Sequence, residues 1–400
     1  MSFSLRQLCN FAAACRRVFQ ALVLGSIASA CLVSCGGGLG PTPPLDAPES
    51  KEQGSYTLAK RILPAIYTNG TAKAINYHPY RGAGPGTSDT PTDANILQDL
   101  RLMNAYGFNL IRLFGSDDIH AKVLDLALST YPSMKFQLGI YLRAPSSCDS
   151  DAVNDAQINK AIALATSKSN VATVSVGNEP SLTNSALLMS CMEGYIKRVK
   201  ARVPQPITAD DDYWLYGGNR NFSYGGSSYS AANFLPWLDF LSIHTYPPSN
   251  YIYWWGTHRA NASALMLASL AEAQNNYAAA GNYHFTNAAG VATTVAESMP
   301  IVIGETGWKA RQTNPNNALE TVAATPQNAK WYFDLMNIWQ AGGAGPKTIF
   351  YFSSFDETWK GIDDGWGLWD KDRVPRYALC GSSAENAPSC TSPPYTGAGY

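Results

Sequence analysis

From about residue 70 onward, apolar runs of four to seven residues alternate with stretches whose apolar positions recur every three or four residues. Short runs bounded by Gly, Pro or Asn read as buried strands, and the longer spacing reads as one face of a helix. The first strand is expected over 74–77. A helix follows the Gly/Pro loop 81–91, with Thr90-Pro91-Thr92-Asp93 as a cap and Ile96, Leu97, Leu100 and Met103 on one side. The second strand is expected over 109–114, a helix over 119–129, and the third strand over 135–142. The next helix carries Ile158, Ala161, Ile162 and Ala165 at spacings of 0, 3, 4 and 7. The fourth strand, 171–179, precedes a helix with Leu188, Met192, Tyr195, Ile196 and Val199 on one side. The later strands are expected over 206–210, 238–244, 301–305 and 348–352. Helices are expected over 263–279 and from Thr325-Pro326 to Gly342-Gly343. Eight strands alternating with helix-like segments, with a long aromatic and Gly-rich loop over 211–232 after the fifth strand, predict an α/β fold, the (β/α)8 TIM barrel. A doubly wound sheet is the alternative, but no glycine-rich dinucleotide fingerprint follows the first strand.

A barrel gathers the C-terminal tips of its strands on one face, so the residues at those tips carry the chemistry. Val171-Ala-Thr-Val-Ser-Val-Gly-Asn-Glu179 runs a β-branched segment into a carboxylate, and Pro180 then forbids the strand to continue. Ile301-Val-Ile-Gly-Glu305 repeats the arrangement 126 residues later. An isolated Asn-Glu-Pro is a common turn, and Gly-Glu-Thr-Gly also suits a surface bend. At strands four and seven of eight, however, the two carboxylates face each other across one cleft, as acid-base and nucleophilic work on a glycosidic bond requires. Asn178, His244, Tyr246, Asp356, Glu357, Trp359 and Lys360 also fall at strand ends, and Arg112 lies inside the second strand.

Composition narrows the partners. A formal charge of −1 over 400 residues provides no field to recruit a polyanion, so nucleic acid is not expected. The 10 Trp, 22 Tyr and 14 Phe provide rings that stack on sugars or fill a core. Arg6, Arg16 and Arg17 precede an apolar run over 18–33 that is too short and interrupted for a membrane span, so residues 1–35 read as a signal peptide. Its end, Leu32-Val-Ser-Cys35-Gly36, resembles the bacterial lipobox, which implies a lipid anchor on Cys35; ordinary cleavage with Cys35 a spare thiol is the alternative. Without Asp at position 36, the resemblance implies the outer membrane of a bacterial envelope. Residues 36–60 then form a Gly/Pro-rich tether, 61–380 the catalytic domain and 381–400 a tail. Four cysteines remain, Cys148, Cys191, Cys380 and Cys390, and they allow three pairings in an oxidising compartment. Cys148 with Cys191 and Cys380 with Cys390 is favoured, because the latter closes a short loop. No Cys or His spacing fits a zinc site, so no metal is expected.

Val176-Gly-Asn-Glu179, Ile303-Gly-Glu-Thr-Gly-Trp308, Arg112-Leu-Phe-Gly-Ser-Asp117, Ser242-Ile-His-Thr-Tyr246, Phe355-Asp-Glu-Thr-Trp-Lys360 and Gly365-Trp-Gly-Leu-Trp-Asp370 together resemble the motifs of glycoside hydrolase family seventeen, (β/α)8 β-glucanases, over about residues 70–377. The resemblance implies Glu179 as acid/base, Glu305 as nucleophile and Asn178 as donor to the reacting sugar's 2-hydroxyl. It further implies Glu357 and Lys360 as a polar pair flanking the cleft, and Trp308 and Trp366 as lining aromatics. Arg112 is expected either to keep Glu305 ionised or to satisfy a buried carboxylate, with His244 or Tyr246 assisting. The expected activity is retaining cleavage of β-1,3-glucan by a monomer without a cofactor, with transglucosylation as an outcome of the same intermediate. A clan relative acting on β-1,4- or β-1,6-glucan or on mannan, and a glucan-binding lipoprotein without activity, are the alternatives. The chain departs from the family at Lys309-Ala310, where Pro-Ser is usual, and the loop 213–229 and the segment 282–300 have no counterpart in the motifs.

Overall fold

The structure is a computed structural model that describes residues 58–247, 262–311, 323–363, 365–384 and 386–390, all within the compact unit Gln53–Tyr400. The expected signal peptide, Cys35, nearly all of the tether and residues 391–400 lie outside the described residues. Among the described residues no helix is long and apolar enough to cross a membrane.

Eight parallel strands close into a barrel: β1 (Ala74–Asn76), β2 (Leu110–Arg112), β3 (Lys135–Ile140), β4 (Val171–Asn178), β5 (Ile207–Asp212), β6 (Leu241–His244), β7 (Ile301–Thr306) and β8 (Ile349–Tyr351). Each pairs with the next, and β8 returns to β1. The fold is therefore the expected (β/α)8 TIM barrel. Helices α1 (Asp93–Ala105), α2 (Asp118–Thr130), α3 (Ala152–Ser167), α4 (Ala186–Lys200), α5 (Ala262–Gly281) and α6 (Pro326–Ala341) cover it. The predicted faces are buried: Ile96, Leu100 and Met103 on α1, and Leu188, Met192, Tyr195, Ile196 and Val199 on α4. The α1 cap is Thr92 rather than Thr90, in a capping box with Asn95, so Pro91 precedes the cap instead of opening the helix.

The strand-helix rhythm fails after β5. Gly217-Gly218 and Gly225-Gly226 interrupt the segment, and a four-residue helix (Tyr213–Tyr216), a hairpin (Phe222–Tyr224 with Ser227–Tyr229) and two 3-10 turns make up the expected loop. The segment before β7 likewise forms a hairpin (His284–Thr286 with Ala292–Thr294) and a short capped helix, Val295–Ser298.

The barrel interior is divided. At the N-terminal end of the strands, the short helix Ala65–Thr68 plugs the floor, and Leu63 and Tyr67 pack with Ala74, Leu110, Phe240, Val302 and Phe350. Full burial of each large side chain contributes about 1.5–3 kcal/mol. The Tyr67 hydroxyl meets Thr173 Oγ1 at 2.6 Å and donates to Gln137 Oε1 at 3.2 Å, so the floor is also satisfied in its polar groups. Above it the interior turns polar: Asn76, Arg112 and Gln137 stand side by side in register on β1, β2 and β3.

Both expected disulfides form, Cys148–Cys191 and Cys380–Cys390. The first ties the loop before α3 to α4, and the second closes the C-terminal loop.

Candidate active site

Two backbone irregularities aim the central carboxylates. The register of β4 against β5 shifts between Ser175 and Asn178, and that of β7 against β6 shifts between Ile303 and Glu305. Such shifts re-aim a side chain at a strand's end. After Gly177 (φ 92°), Glu179 adopts the left-handed conformation (φ 49°, ψ 46°), unusual for a residue with a Cβ, and Pro180 opens a 3-10 turn over Pro180–Thr183. Gly304 is required for another reason: a Cβ there would lie 2.3 Å from Ser242 Oγ and 3.0 Å from Asp210 Oδ1. Only a residue without a side chain lets β7 pass this polar layer and deliver Glu305.

The structure brings Glu179, His244 and Glu305 together, with one ligand-capable atom of each within 4.8 Å of the others. His244 Nδ1 lies 2.9 Å from Glu179 Oε1, and its Nε2 lies 3.7 Å from Glu305 Oε1. Arg112, fully buried, donates from Nη1 to Glu305 Oε1 (2.7 Å) and Asn76 Oδ1 (3.0 Å), from Nε to Asp210 Oδ2 (2.6 Å), and from Nη2 to Asn178 Oδ1 (2.6 Å). Both roles foreseen for Arg112 are thus occupied at once: it holds Glu305 and it satisfies a buried carboxylate, Asp210. The Tyr246 hydroxyl donates to Glu305 Oε2 at 2.7 Å, so each oxygen of Glu305 has its own donor.

Electrostatics follow from this geometry. Burial pushes the Glu179 carboxyl up, but the hydrogen bond and charge of His244, with Arg112 and Lys360, outweigh it and leave it below the ordinary range. Burial lowers the His244 imidazole, yet the charge of Glu305 and the contact with Glu179 raise it overall. The 2.9 Å contact between His244 Nδ1 and Glu179 Oε1 lets the pair exchange a proton. Burial first, and then the charge of Glu305, keeps Tyr246 a neutral phenol. A cation on the three central side chains would meet the Arg112 guanidinium already bound to Glu305, so the cluster is arranged for proton sharing.

Glu357 and Lys360 form an ion pair, and His78 Nδ1 contacts the other Glu357 oxygen. Burial raises Glu357, but Lys360 and His78 bring it down to about 2. Lys360 Nζ lies 4.6 Å over the Phe352 ring, and the charges of Glu305 and Glu179 reach it. Trp366 is half-buried and meets Tyr246 edge-on at 5.4 Å. Trp308 is a correction: it is 1 % exposed, donates to the Ala323 carbonyl (2.9 Å) and packs on Tyr332, so it belongs to the core behind the cleft. The neighbouring departure, Lys309, places Nζ 5.7 Å from the Trp366 ring centre. Sequence reasoning missed Asn76, His78, Gln137 and Asp210. The acidic run Asp210-Asp211-Asp212 ending a strand was a readable signal for the last; the others are unremarkable residues until the barrel closes.

Residues 74–267 match the model of the BtgE/BtgC glycoside hydrolase domain. The match spans β1 to β6 and stops short of the strand bearing Glu305. No curated protein matches the sequence. An endo-laminarinase from Formosa Hel1_33_131 shares 19% identity over 81% of this chain and 92% of its own, with a TM-score of 0.63. A glycoside hydrolase family 17 β-1,3-glucanosyltransferase from Rhizomucor miehei shares 21% identity over 80% of this chain and 99% of its own, with a TM-score of 0.54. An active-site mutant of the latter, in complex with laminaritriose, gives 19% identity over 80% and 99% and the same TM-score of 0.54. At these identities the likeness shows the common barrel. The expected resemblance to glycoside hydrolase family seventeen agrees with both findings.

Proposed function

We propose that this chain, which carries a glycoside hydrolase domain, cleaves β-1,3-glucan with retention through a covalent glycosyl-enzyme. The observation that carries the reading is the approach of Glu179 and Glu305 to within 4.8 Å. Retaining enzymes hold their carboxyls about 5–5.5 Å apart, and inverting ones about 6.5–9.5 Å, to leave room for water. Glu305 attacks the anomeric carbon while the C–O bond to the leaving sugar breaks, and Glu179 passes a proton to that oxygen. Arg112 and Tyr246 fix the attacking carboxylate, and His244 holds the proton that Glu179 delivers. Glu179 then takes a proton from water, or from a second sugar's hydroxyl, as that oxygen attacks the anomeric carbon and the bond to Glu305 breaks. The amide nitrogen of Asn178, whose oxygen is held by Arg112, serves the sugar's 2-hydroxyl. Trp366, Glu357 and Lys360 flank the sugar. β-1,3-Glucan is favoured over other β-glucans by the motif Phe355-Asp-Glu-Thr-Trp-Lys360 and by the named activities of the two structural neighbours.

Glu305→Gln should abolish the covalent intermediate, as read by mass spectrometry with a slow fluoroglycoside, while leaving the fold intact. Azide should restore turnover of an activated aryl glycoside to Glu179→Ala. Full activity of Glu305→Gln on laminari-oligosaccharides would remove that residue from the mechanism. Products longer than the starting oligosaccharide would identify transfer, and only shorter ones hydrolysis. We also propose a diacylglyceryl anchor on Cys35, supported by the Leu32-Val-Ser-Cys35 pattern. Metabolic labelling with palmitate should mark the wild type and not Cys35→Ser.

A further inference from the structure

We infer that Asp211 is a positioning residue for the acid/base, acting through the turn that presents Glu179; this rests on the glycosidase reading above. Glu179 holds a left-handed backbone, which costs a non-glycine residue about 1–3 kcal/mol and persists only where its surroundings over-determine it. The turn's own bonds are local: the Leu182 amide donates to the Glu179 carbonyl at 3.0 Å, and Thr183 Oγ1 donates to the Pro180 carbonyl at 2.7 Å. Such bonds shape the turn without fixing it to the barrel. Fixation comes from β5 and from the segment after it. The Glu179 amide donates to the Asp210 carbonyl (2.8 Å), and Arg220 Nη1 donates to the Ser181 carbonyl (3.0 Å).

The strongest grip is that of Asp211. Its Oδ2 accepts from the Ser181 amide at 2.9 Å, and its Oδ1 accepts from Ser181 Oγ at 2.5 Å and from the Asp212 amide at 2.7 Å. Both Asp211 and Ser181 are fully buried. Along β5 the side chains alternate: Asp210 engages Arg112 and Gln137 inside the barrel, while Asp211 engages the turn after β4. Asp211 is therefore separate from the polar layer that holds Glu305.

A carboxylate suits this place because it only accepts, and all three partners are N–H or O–H donors. An amide of the same shape would set its NH2 group against at least one of them. Burial raises the Asp211 carboxyl to about 7 against these bonds, so its ionised form is held at a solvation cost and predominates only above that pH. An apolar residue would fill the same volume without that cost, but would release Ser181, two residues from the acid/base.

The test separates positioning from mere support of the fold. In Asp211→Asn, kcat/KM for a laminari-oligosaccharide, whose leaving alcohol needs Glu179's proton, should fall about 100-fold. For a 2,4-dinitrophenyl β-glycoside, which leaves without protonation, kcat/KM should stay within about 3-fold, since that ratio reports glycosylation alone. Ser181→Ala should lose activity in the same selective way, and the double variant should fall no further than the worse single one. An equal fall on both substrates, or no fall on either, would overturn the assignment. Failure of the glucan reading shows separately, as wild-type enzyme inert on laminari-oligosaccharides; the ratio is then taken on whichever β-linked oligosaccharide the wild type cleaves.

Discussion

Arg112→Lys is the most informative single perturbation, because it keeps the charge and removes the fork. In the structure the guanidinium serves four acceptors, on Glu305, Asp210, Asn76 and Asn178, at 2.6 to 3.0 Å and almost without exposure. An ammonium has three donors in a compact head, and from β2 it cannot span both carboxylates and both amides. If it stays with Asp210, the deeper charge, the contacts to Glu305 and Asn178 are lost. Hydrogen bonds to charged groups contribute about 1.5–3 kcal/mol each, and part of this is recovered by relaxation, so a net destabilisation of about 3 kcal/mol is expected. Activity should suffer independently, through a Glu305 held by Tyr246 alone. Loss of one preorganised donor costs about 100-fold in kcat, or about 2.7 kcal/mol of barrier, with KM little changed since Arg112 faces residues rather than sugar. Urea unfolding gives the first quantity and steady-state kinetics on laminari-oligosaccharides the second. A variant that loses stability yet retains kcat within about 3-fold would refute the claim that Arg112 positions the nucleophile.

Two further outcomes follow from the same geometry. The Glu357 carboxyl lies at about 2 instead of the ordinary 4.5, so its contribution of about 3 kcal/mol is fully present above pH 4.5 and is lost as pH falls toward 2; Glu357→Gln should flatten the pH dependence of unfolding free energy in that window, and an unchanged slope would contradict the Lys360–Glu357–His78 pairing. The Cys148–Cys191 bridge spans 43 residues and the Cys380–Cys390 bridge 10, for which loop-closure entropy gives about 4 and about 3 kcal/mol; denaturant titration of the two double-serine variants should rank them in that order.

The barrel was readable because its strands are buried runs and its helices carry regular apolar faces, and α6 was bounded by Thr325, Pro326 and Gly342 as its sequence implied. The segment after β5 was readable only as a loop, since short aromatic runs broken by paired glycines follow no period, and its hairpin and 3-10 turns were not foreseen. Glu179 and Glu305 stood out because each ends an apolar run. Gln137 and Asn76 did not, because an inward polar residue on a strand looks like any other until the neighbouring strands provide its partner. Trp308 misled for the opposite reason: a motif position beside a reactive carboxylate places a ring near the cleft without saying which way it faces. Here it faces Tyr332.

The plug formed by Leu63 and Tyr67 has a practical consequence for anyone dissecting this chain. A fragment cut to the matched segment, 74–267, would lack this cork as well as the strand that carries Glu305, leaving Gln137 and Thr173 without the tyrosine that caps them from below. The smallest piece with a sealed cylinder begins upstream of Leu63 and runs past β8, so recombinant truncations should be planned from the cylinder's base and not from the limits of sequence likeness.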